Sequence, residues 1–118
     1  MLGLLLIDHG SRRAESNQQL EDMAARVRRL RPDAAVVAAH MEIAAPDLAT
    51  AFATLVAHGA TRVVILPYFL GDGRHLTQDI PALAAAAAAA HPGVGYTIGA
   101  ALGPHDALAA LLLERGGC

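Results

Sequence analysis

Several residue types that would direct a protein to particular functions are rare or absent in this sequence. Cysteine occurs once, at Cys118, which excludes an internal disulfide framework and suits a reducing compartment. Lysine does not occur: all nine basic residues are arginine, and the formal net charge is −2. A polybasic tract suited to a nucleic-acid backbone is therefore missing, and we expect no nucleic-acid partner.

Long hydrophobic runs are missing as well. The apolar run at residues 2–7 is too short to cross a bilayer, and it leads into polar residues rather than into a signal-peptide cleavage site. We therefore expect a cytoplasmic, soluble protein with no membrane partner. The 118 residues are 54% hydrophobic and 17% charged and include no linker, so we expect one domain over residues 1–118.

Segments typical of strands alternate along the chain with segments of helical spacing. The predicted strands are residues 2–7, 34–39, 62–66 and 94–98. The predicted helices are residues 15–31, a helix from Pro46 to a C-cap at His58 and Gly59, a helix carrying the alanines 84–90, and a helix from His105. Four βα repeats with short connections predict an α/β, doubly wound fold, with an open parallel four-stranded sheet and helices on both faces.

The residues best suited to chemistry follow the predicted strands. Open sheets of this kind bind ligands at the carboxyl ends of their strands, near the point where the strand order reverses. We expect the order 2-1-3-4, that of a flavodoxin-like half-domain, in which strands one and three are neighbours. His9 and His75 follow these two strands and would then face one crevice, and Glu42 leaves strand two toward the same edge.

Two imidazoles and a carboxylate at one edge predict a divalent-metal site. Neutral imidazole suits Co²⁺, Fe²⁺, Ni²⁺ and Zn²⁺, and an acid beside two histidines is common at such sites. Pro81 fits the first turn of a helix, which places His75 close to a helix start. The helix dipole there favours the uncharged imidazole, which can bind a metal or accept a proton.

The other histidines are predicted to have structural roles. His58 and His91 precede helix stops, where a cap is expected, and His105 lies at a helix start. His40 is expected to be exposed at the end of its strand and to have no partner. The loop residues Arg12, Arg13 and Arg74 differ from the arginines of the first helix, because they lie at the ligand edge and suit the carboxylates of an acidic ligand.

Four segments occur in the order of a known family. They are LLLIDHGSR near the start, MEIAAPDL after strand two, LPYFLGDGRHLTQDIP after strand three and ALGPHDAL near the end. Together they resemble the small CbiX-type sirohydrochlorin chelatases, which are relatives of the class II ferrochelatases. By this resemblance His9 and His75 match the family's metal-binding, catalytic histidines, and Glu42 falls at its acidic, catalytic position.

The resemblance implies insertion of a divalent metal into sirohydrochlorin, with His9 and His75 binding the metal and accepting the two pyrrole protons that the ring loses. Cobalt on the cobalamin route is the first expectation, and iron or nickel are the alternatives. The metal is a substrate, and no organic cofactor is implied. The residues implied to bind the tetrapyrrole are Ser11, Arg12, Arg13, Tyr68, Phe69, Leu70 and Arg74. Larger relatives carry two such domains, so the similarity to one half implies a homodimer around the ring.

Other functions remain open on the residues alone. A non-catalytic module for metal binding or delivery would also need the two histidines, but it would need neither a ring-sized cleft nor an arginine rim. A histidine phosphatase also carries a histidine after its first strand, but Asp8 stands where that chemistry requires an arginine. A receiver-type signalling domain is excluded, because the chain has no acidic pair followed by a phosphorylatable aspartate after strand three and has no lysine.

Overall fold

A computed structural model describes residues 1–118 and contains a four-stranded parallel sheet. In chain order the elements are β1 (Leu2–Asp8), α1 (Ala14–Leu30), β2 (Ala35–His40), α2 (Leu48–Ala57), β3 (Arg62–Pro67), a π-helical turn (His75–Asp79), α3 (Ile80–Ala89), β4 (Gly95–Ile98) and α4 (Asp106–Arg115). The strand order is β2-β1-β3-β4, which confirms the predicted α/β fold and the order 2-1-3-4. No helix combines the length and the apolar character that crossing a membrane requires.

The central strand β1 is buried on both faces. Leu5 and Ile7 belong to a core cluster that includes Phe52 of α2 and residues of α3. Leu4 and Leu6 point to the other face, where the core is completed by α1. Helices cover both sides of the sheet, so both faces of β1 are buried and both carry apolar residues, as predicted from the sequence.

The last helix, α4, does not pack into the core, although helices were expected to cover both faces of the sheet. None of its ten residues is buried, and neither core cluster contains a residue from it. Leu112 and Leu113 are 73% and 57% exposed. The helix does begin as predicted, because the Nδ1 atom of His105 accepts a hydrogen bond from the backbone N–H of Ala107 at 3.0 Å.

The predicted histidine cap is confirmed at the end of α2, whereas the C-cap of α3 is Ala90 and His91 follows it. His58 is the C-cap of α2, and Gly59 follows it with a φ of +101°. The backbone N–H of His91 donates to the carbonyl of Ala88 at 3.0 Å, so His91 lies in the turn that ends α3. Its ring also stacks on Phe52, with 5.7 Å between the ring centroids.

Asp47 begins α2, and its carboxylate accepts a hydrogen bond from the backbone N–H of Thr50 at 2.8 Å. Hydrogen bonding to Thr50 favours the charged carboxylate and lowers the pKa of Asp47. We expect Asp47→Ala to lower the free energy of unfolding by about 1 kcal/mol at neutral pH. Thermal melts of both proteins across the pH range check this value.

The pH dependence of the Asp47→Ala effect has a defined sign. Because the pKa of Asp47 is lower in the folded chain, its contribution is fully present above the unfolded pKa. The contribution is lost as the pH falls through the folded pKa. A difference in melting temperature that persists unchanged in strongly acidic solution would contradict a charged N-cap at Asp47.

Candidate active site

His9 and His75 lie side by side at the carboxyl edge of the sheet. Because β1 and β3 are hydrogen-bonded neighbours, the loops that follow them leave the sheet together. The two imidazole centroids are 4.6 Å apart, and the ring planes cross at 68°. Their side chains are 42% and 47% exposed, so both rings are accessible from solvent. The structure thus brings together the two histidines that the sequence assigned to one crevice.

Glu42 joins this pair from the end of β2. Its Oε1 atom lies 3.1 Å from Nε2 of His9. The backbone holds the two residues together as well, because the N–H of Glu42 donates to the carbonyl of His9 at 3.2 Å. The other ring nitrogen of His9, Nδ1, lies 3.3 Å from the carbonyl oxygen of Gly10. Both ring nitrogens of His9 are therefore already engaged.

The π-helical turn supplies a carboxylate partner for His75. Asp79 lies four residues after His75 on the same side of the turn, and its Oδ2 atom is 2.9 Å from Nδ1 of His75. A carboxylate at Nδ1 fixes the proton there and leaves the lone pair of Nε2 free for a ligand. Asp79 was missed by the sequence analysis, although its spacing of four from a histidine at a helix start was a usable signal. Short π-helical segments are frequent at functional sites.

A cavity of about 310 Å³ opens beside these side chains. Its lining residues are Met41, Glu42, His75, Asp79, Ala82 and Leu83. No three His, Cys, Asp or Glu side chains are arranged to hold a metal ion. Each histidine instead has one carboxylate neighbour, Glu42 at His9 and Asp79 at His75.

His40 corrects the sequence prediction, which had this histidine exposed and unpaired. It is only 2% exposed, and its Nδ1 atom lies 2.5 Å from Oδ1 of Asp8. Asp8 and His40 are register partners at the ends of β1 and β2, immediately before the segments that carry His9 and Glu42. A polar pair at the ends of two strands predicted to be adjacent was the signal that could have revealed this contact.

The loop after β1 is closed by Asn17, a residue the sequence analysis did not single out. Its Oδ1 accepts from the backbone N–H of Ser11 at 3.0 Å, and its Nδ2 donates to the carbonyl of Ser11 at 2.8 Å. The Ser11 hydroxyl accepts from the backbone N–H of Arg13 at 3.0 Å. These bonds fix the backbone that follows His9. The Ser11 hydroxyl is thus already engaged in shaping the loop.

The three loop arginines differ in their surroundings. Arg13 forms an ion pair with Glu15, with 2.7 Å between Nη2 and Oε1. Backbone hydrogen bonding and this arginine lower the pKa of Glu15. Arg12 and Arg74 are exposed and take part in no ion pair. These two guanidinium groups are available to an acidic ligand.

Tyr68, Phe69 and Leu70 line a second, larger cavity of about 550 Å³. The other lining residues are Met23, Leu102, Leu108, Leu111, Leu112 and Arg115. All but one of the nine lining residues are hydrophobic, and none of them lines the first cavity. Tyr68, Phe69 and Leu70 therefore face an apolar cavity, and four of its other lining residues belong to α4.

Comparisons with known proteins identify the family of this chain. A model of the CbiX family matches residues 3–116. The chain is 44% identical over 113 residues to the chloroplastic sirohydrochlorin ferrochelatase of Arabidopsis thaliana, covering 96% of this chain and 50% of the relative. It is 32% identical over 122 residues to the sirohydrochlorin cobaltochelatase of Methanococcoides burtonii, covering 97% of this chain and 93% of the relative.

A solved structure extends the comparison to three dimensions. The fold matches a CbiX protein from Marinobacter aquaeolei VT8 with a TM-score of 0.83 and 28% sequence identity. This match covers 99% of the chain and 95% of the solved structure. The chain thus corresponds to nearly all of that protein, whereas it spans half the length of the plant relative.

Proposed function

The chain belongs to the CbiX family, and on that premise we propose that it inserts a divalent metal ion into sirohydrochlorin. The observation that carries this proposal is the contact between His9 and His75 at an accessible sheet edge, with Glu42 bonded to His9. The names of the plant and archaeal relatives support the substrate. Metal insertion requires an ion-binding site, an acceptor for pyrrole protons and an open surface for the ring.

We assign His9 and His75 to metal binding. Nε2 of His75 offers a free lone pair, because Asp79 occupies Nδ1. On His9 the ion must approach Nε2, which contacts Oε1 of Glu42 at 3.1 Å. Ligands about 2.0–2.2 Å from a tetrahedral ion lie about 3.4 Å from each other. Glu42 therefore has to move outward to admit the ion, after which its carboxylate can share in binding it.

The same residues can receive the protons that the ring loses. Insertion of M²⁺ expels two pyrrole protons. The two positive charges gained by the ring equal the two lost, so the net charge of the tetrapyrrole is unchanged. As the ion passes to the ring, the lone pairs of His9 and His75 and the carboxylate of Glu42 become available as proton acceptors. A site without a preformed cage suits this transfer, because the ion has to be released and not retained.

The surface around the histidines fits a flat, polyanionic ring. We propose that Arg12 and Arg74 bind its carboxylate groups, since neither has a partner within the chain. The remaining predicted ring-binding residues are Ser11, Arg13, Tyr68, Phe69 and Leu70.

Exposed leucines of α4 beside the apolar cavity support pairing with a second copy across the ring.

The metal we propose is cobalt or iron, of which the sequence resemblance put cobalt first. The higher identity to a relative named ferrochelatase, 44% against 32% for the cobaltochelatase, favours iron. Imidazole and carboxylate ligands suit both ions. Anaerobic incubation of the protein with sirohydrochlorin and Co²⁺, Fe²⁺ or Ni²⁺ tests the proposal through the absorbance change of the ring.

We expect metalation well above the rate of the same mixture without protein. Comparison of the rates with the three ions then identifies the preferred metal. If no ion is inserted faster than in the protein-free control, although Co²⁺ binds to the protein, the chain is a metal-binding or delivery module instead.

Replacing Asp79 tests how His75 is oriented. In Asp79→Asn the amide no longer fixes the proton on Nδ1, so Nε2 is free for the ion in only part of the molecules. We expect kcat/KM for the metal to fall by about 10-fold, with little change in melting temperature. Asp72→Asn is the matched control, because Asp72 lies exposed in the same loop and forms no ion pair. An equal loss in both variants would contradict a specific role for Asp79.

A further inference from the structure

Ile43 is the only residue other than glycine that has a positive φ, at 73°. It directly follows Glu42 in the loop between β2 and α2. The backbone N–H of Ala44 donates to the carbonyl of Glu42 at 2.8 Å, which closes a γ-turn with Ile43 at its centre. A β-branched residue is strained in this region of backbone conformation, where glycine and asparagine are the usual occupants.

Side-chain packing does not explain the strained conformation. The Ile43 side chain is 59% exposed and belongs to neither core cluster. It lines only an open surface cavity formed by its own loop. A strained backbone persists only where neighbouring contacts determine it, so the cause lies in the residues before and after Ile43.

Several of those contacts hold Glu42 against the loop of His9, while the N–H of His40 donates to the carbonyl of Pro46 at 2.9 Å and closes the segment around Ile43. The N–H of Glu42 donates to the carbonyl of His9, and the carbonyl of Glu42 lies against Gly10. The carboxylate reaches Nε2 of His9 at 3.1 Å. The γ-turn at Ile43 is therefore the conformation in which Glu42 is engaged with His9.

Engagement of Glu42 also hinders binding of an ion to His9. Nε2 contacts Glu42 at 3.1 Å, and Nδ1 lies 3.3 Å from the carbonyl oxygen of Gly10, so an incoming ion has to compete with Glu42 for Nε2. Glu42 therefore has to move aside before Nε2 can bind the ion. The strain energy of the turn is the energy by which Ile43 favours a negative φ over its positive one. Rotation of Ile43 to negative φ releases this strain and therefore favours withdrawal of Glu42.

We propose that Ile43 is a positioning residue whose backbone strain sets how readily Glu42 leaves His9 to admit the metal. This inference rests on the proposed function, in which His9 binds the ion. The strained turn keeps the engaged and withdrawn positions of Glu42 close in energy. A residue that accepts positive φ without strain would hold Glu42 in place and slow the approach of the ion.

Three substitutions at this position separate strain from side-chain contact. Ile43→Gly and Ile43→Asn both accept positive φ more readily, although their side chains differ. Ile43→Val keeps the β-branched side chain and therefore the strain. The measurements are the association rate of Co²⁺ without tetrapyrrole, followed by its visible absorption, and the melting temperature of each variant.

We expect Ile43→Gly and Ile43→Asn to melt at a higher temperature than the parent and to bind Co²⁺ roughly 3- to 10-fold more slowly. Ile43→Val should match the parent in both measurements. The inference would be overturned if Ile43→Gly and Ile43→Asn bound Co²⁺ as fast as the parent. It would also be overturned if both variants melted at a lower temperature than the parent. If the parent binds Co²⁺ but does not metalate sirohydrochlorin, the proposed function fails, whereas the binding rates still test the role of Ile43.

Discussion

His9→Ala and His75→Ala are each expected to lower the rate of sirohydrochlorin metalation by at least about 100-fold. The two rings approach each other to 4.6 Å, so removal of either leaves the ion with a single imidazole. Both side chains are close to half exposed, and their loss creates no cavity in the core. The metalation assay with Co²⁺ or Fe²⁺ measures the loss, and thermal melts should show that the fold persists.

The matched control for these variants is His58→Ala. His58 is an exposed histidine that ends α2, away from the carboxyl edge of the sheet. Its loss should leave metalation unchanged. If His9 and His75 act as one unit, the double variant should be hardly slower than either single variant. Full activity in either single variant would exclude that histidine as a ligand required for the reaction.

The strand order and the meeting of the loops could be predicted from the sequence because they follow from general rules. Short βα connections with right-handed crossovers fix a parallel sheet, and β1 at its centre requires apolar residues on both faces. Once β1 and β3 are neighbours, His9 and His75 must leave the sheet together. The position of α4 could not be predicted, because its leucines have the composition of a packed helix and yet lie outside both cores.

Apart from Asp79, whose spacing from His75 was a usable signal, the missed parts of the site depend on register and backbone angles, which composition does not encode. The contact between Asp8 and His40 requires that the two residues be opposite each other, and a shift of one residue would separate them. Asn17 closes the loop from the first turns of α1, six residues after Ser11 and without a motif to mark it. The strain at Ile43 is a property of the folded backbone alone.

Gly10→Ala is expected to impair both folding and metalation. Gly10 has a φ of +93°, and a Cβ atom at this position would lie 1.9 Å from the carbonyl oxygen of Glu42. The obstacle is backbone, so it cannot be relieved by rotation of a side chain. We expect the free energy of unfolding to fall by at least about 2 kcal/mol. The carbonyl of Glu42 must also move, which shifts its carboxylate away from the position where it accepts a pyrrole proton and should lower kcat by roughly 100-fold.

Gly59→Ala separates these two effects, because Gly59 has a φ of +101° and no atom within 4 Å of the added Cβ. This variant carries the backbone cost of about 1–2 kcal/mol without a clash. It lies at the end of α2, so kcat should be unchanged. The parent, Gly10→Ala and Gly59→Ala should be compared at a temperature where all three are folded. Activity that is lost only in Gly10→Ala is then caused by displacement of Glu42. Equal activity in the two variants would show that the contact between Gly10 and Glu42 shapes the fold and has no part in the reaction.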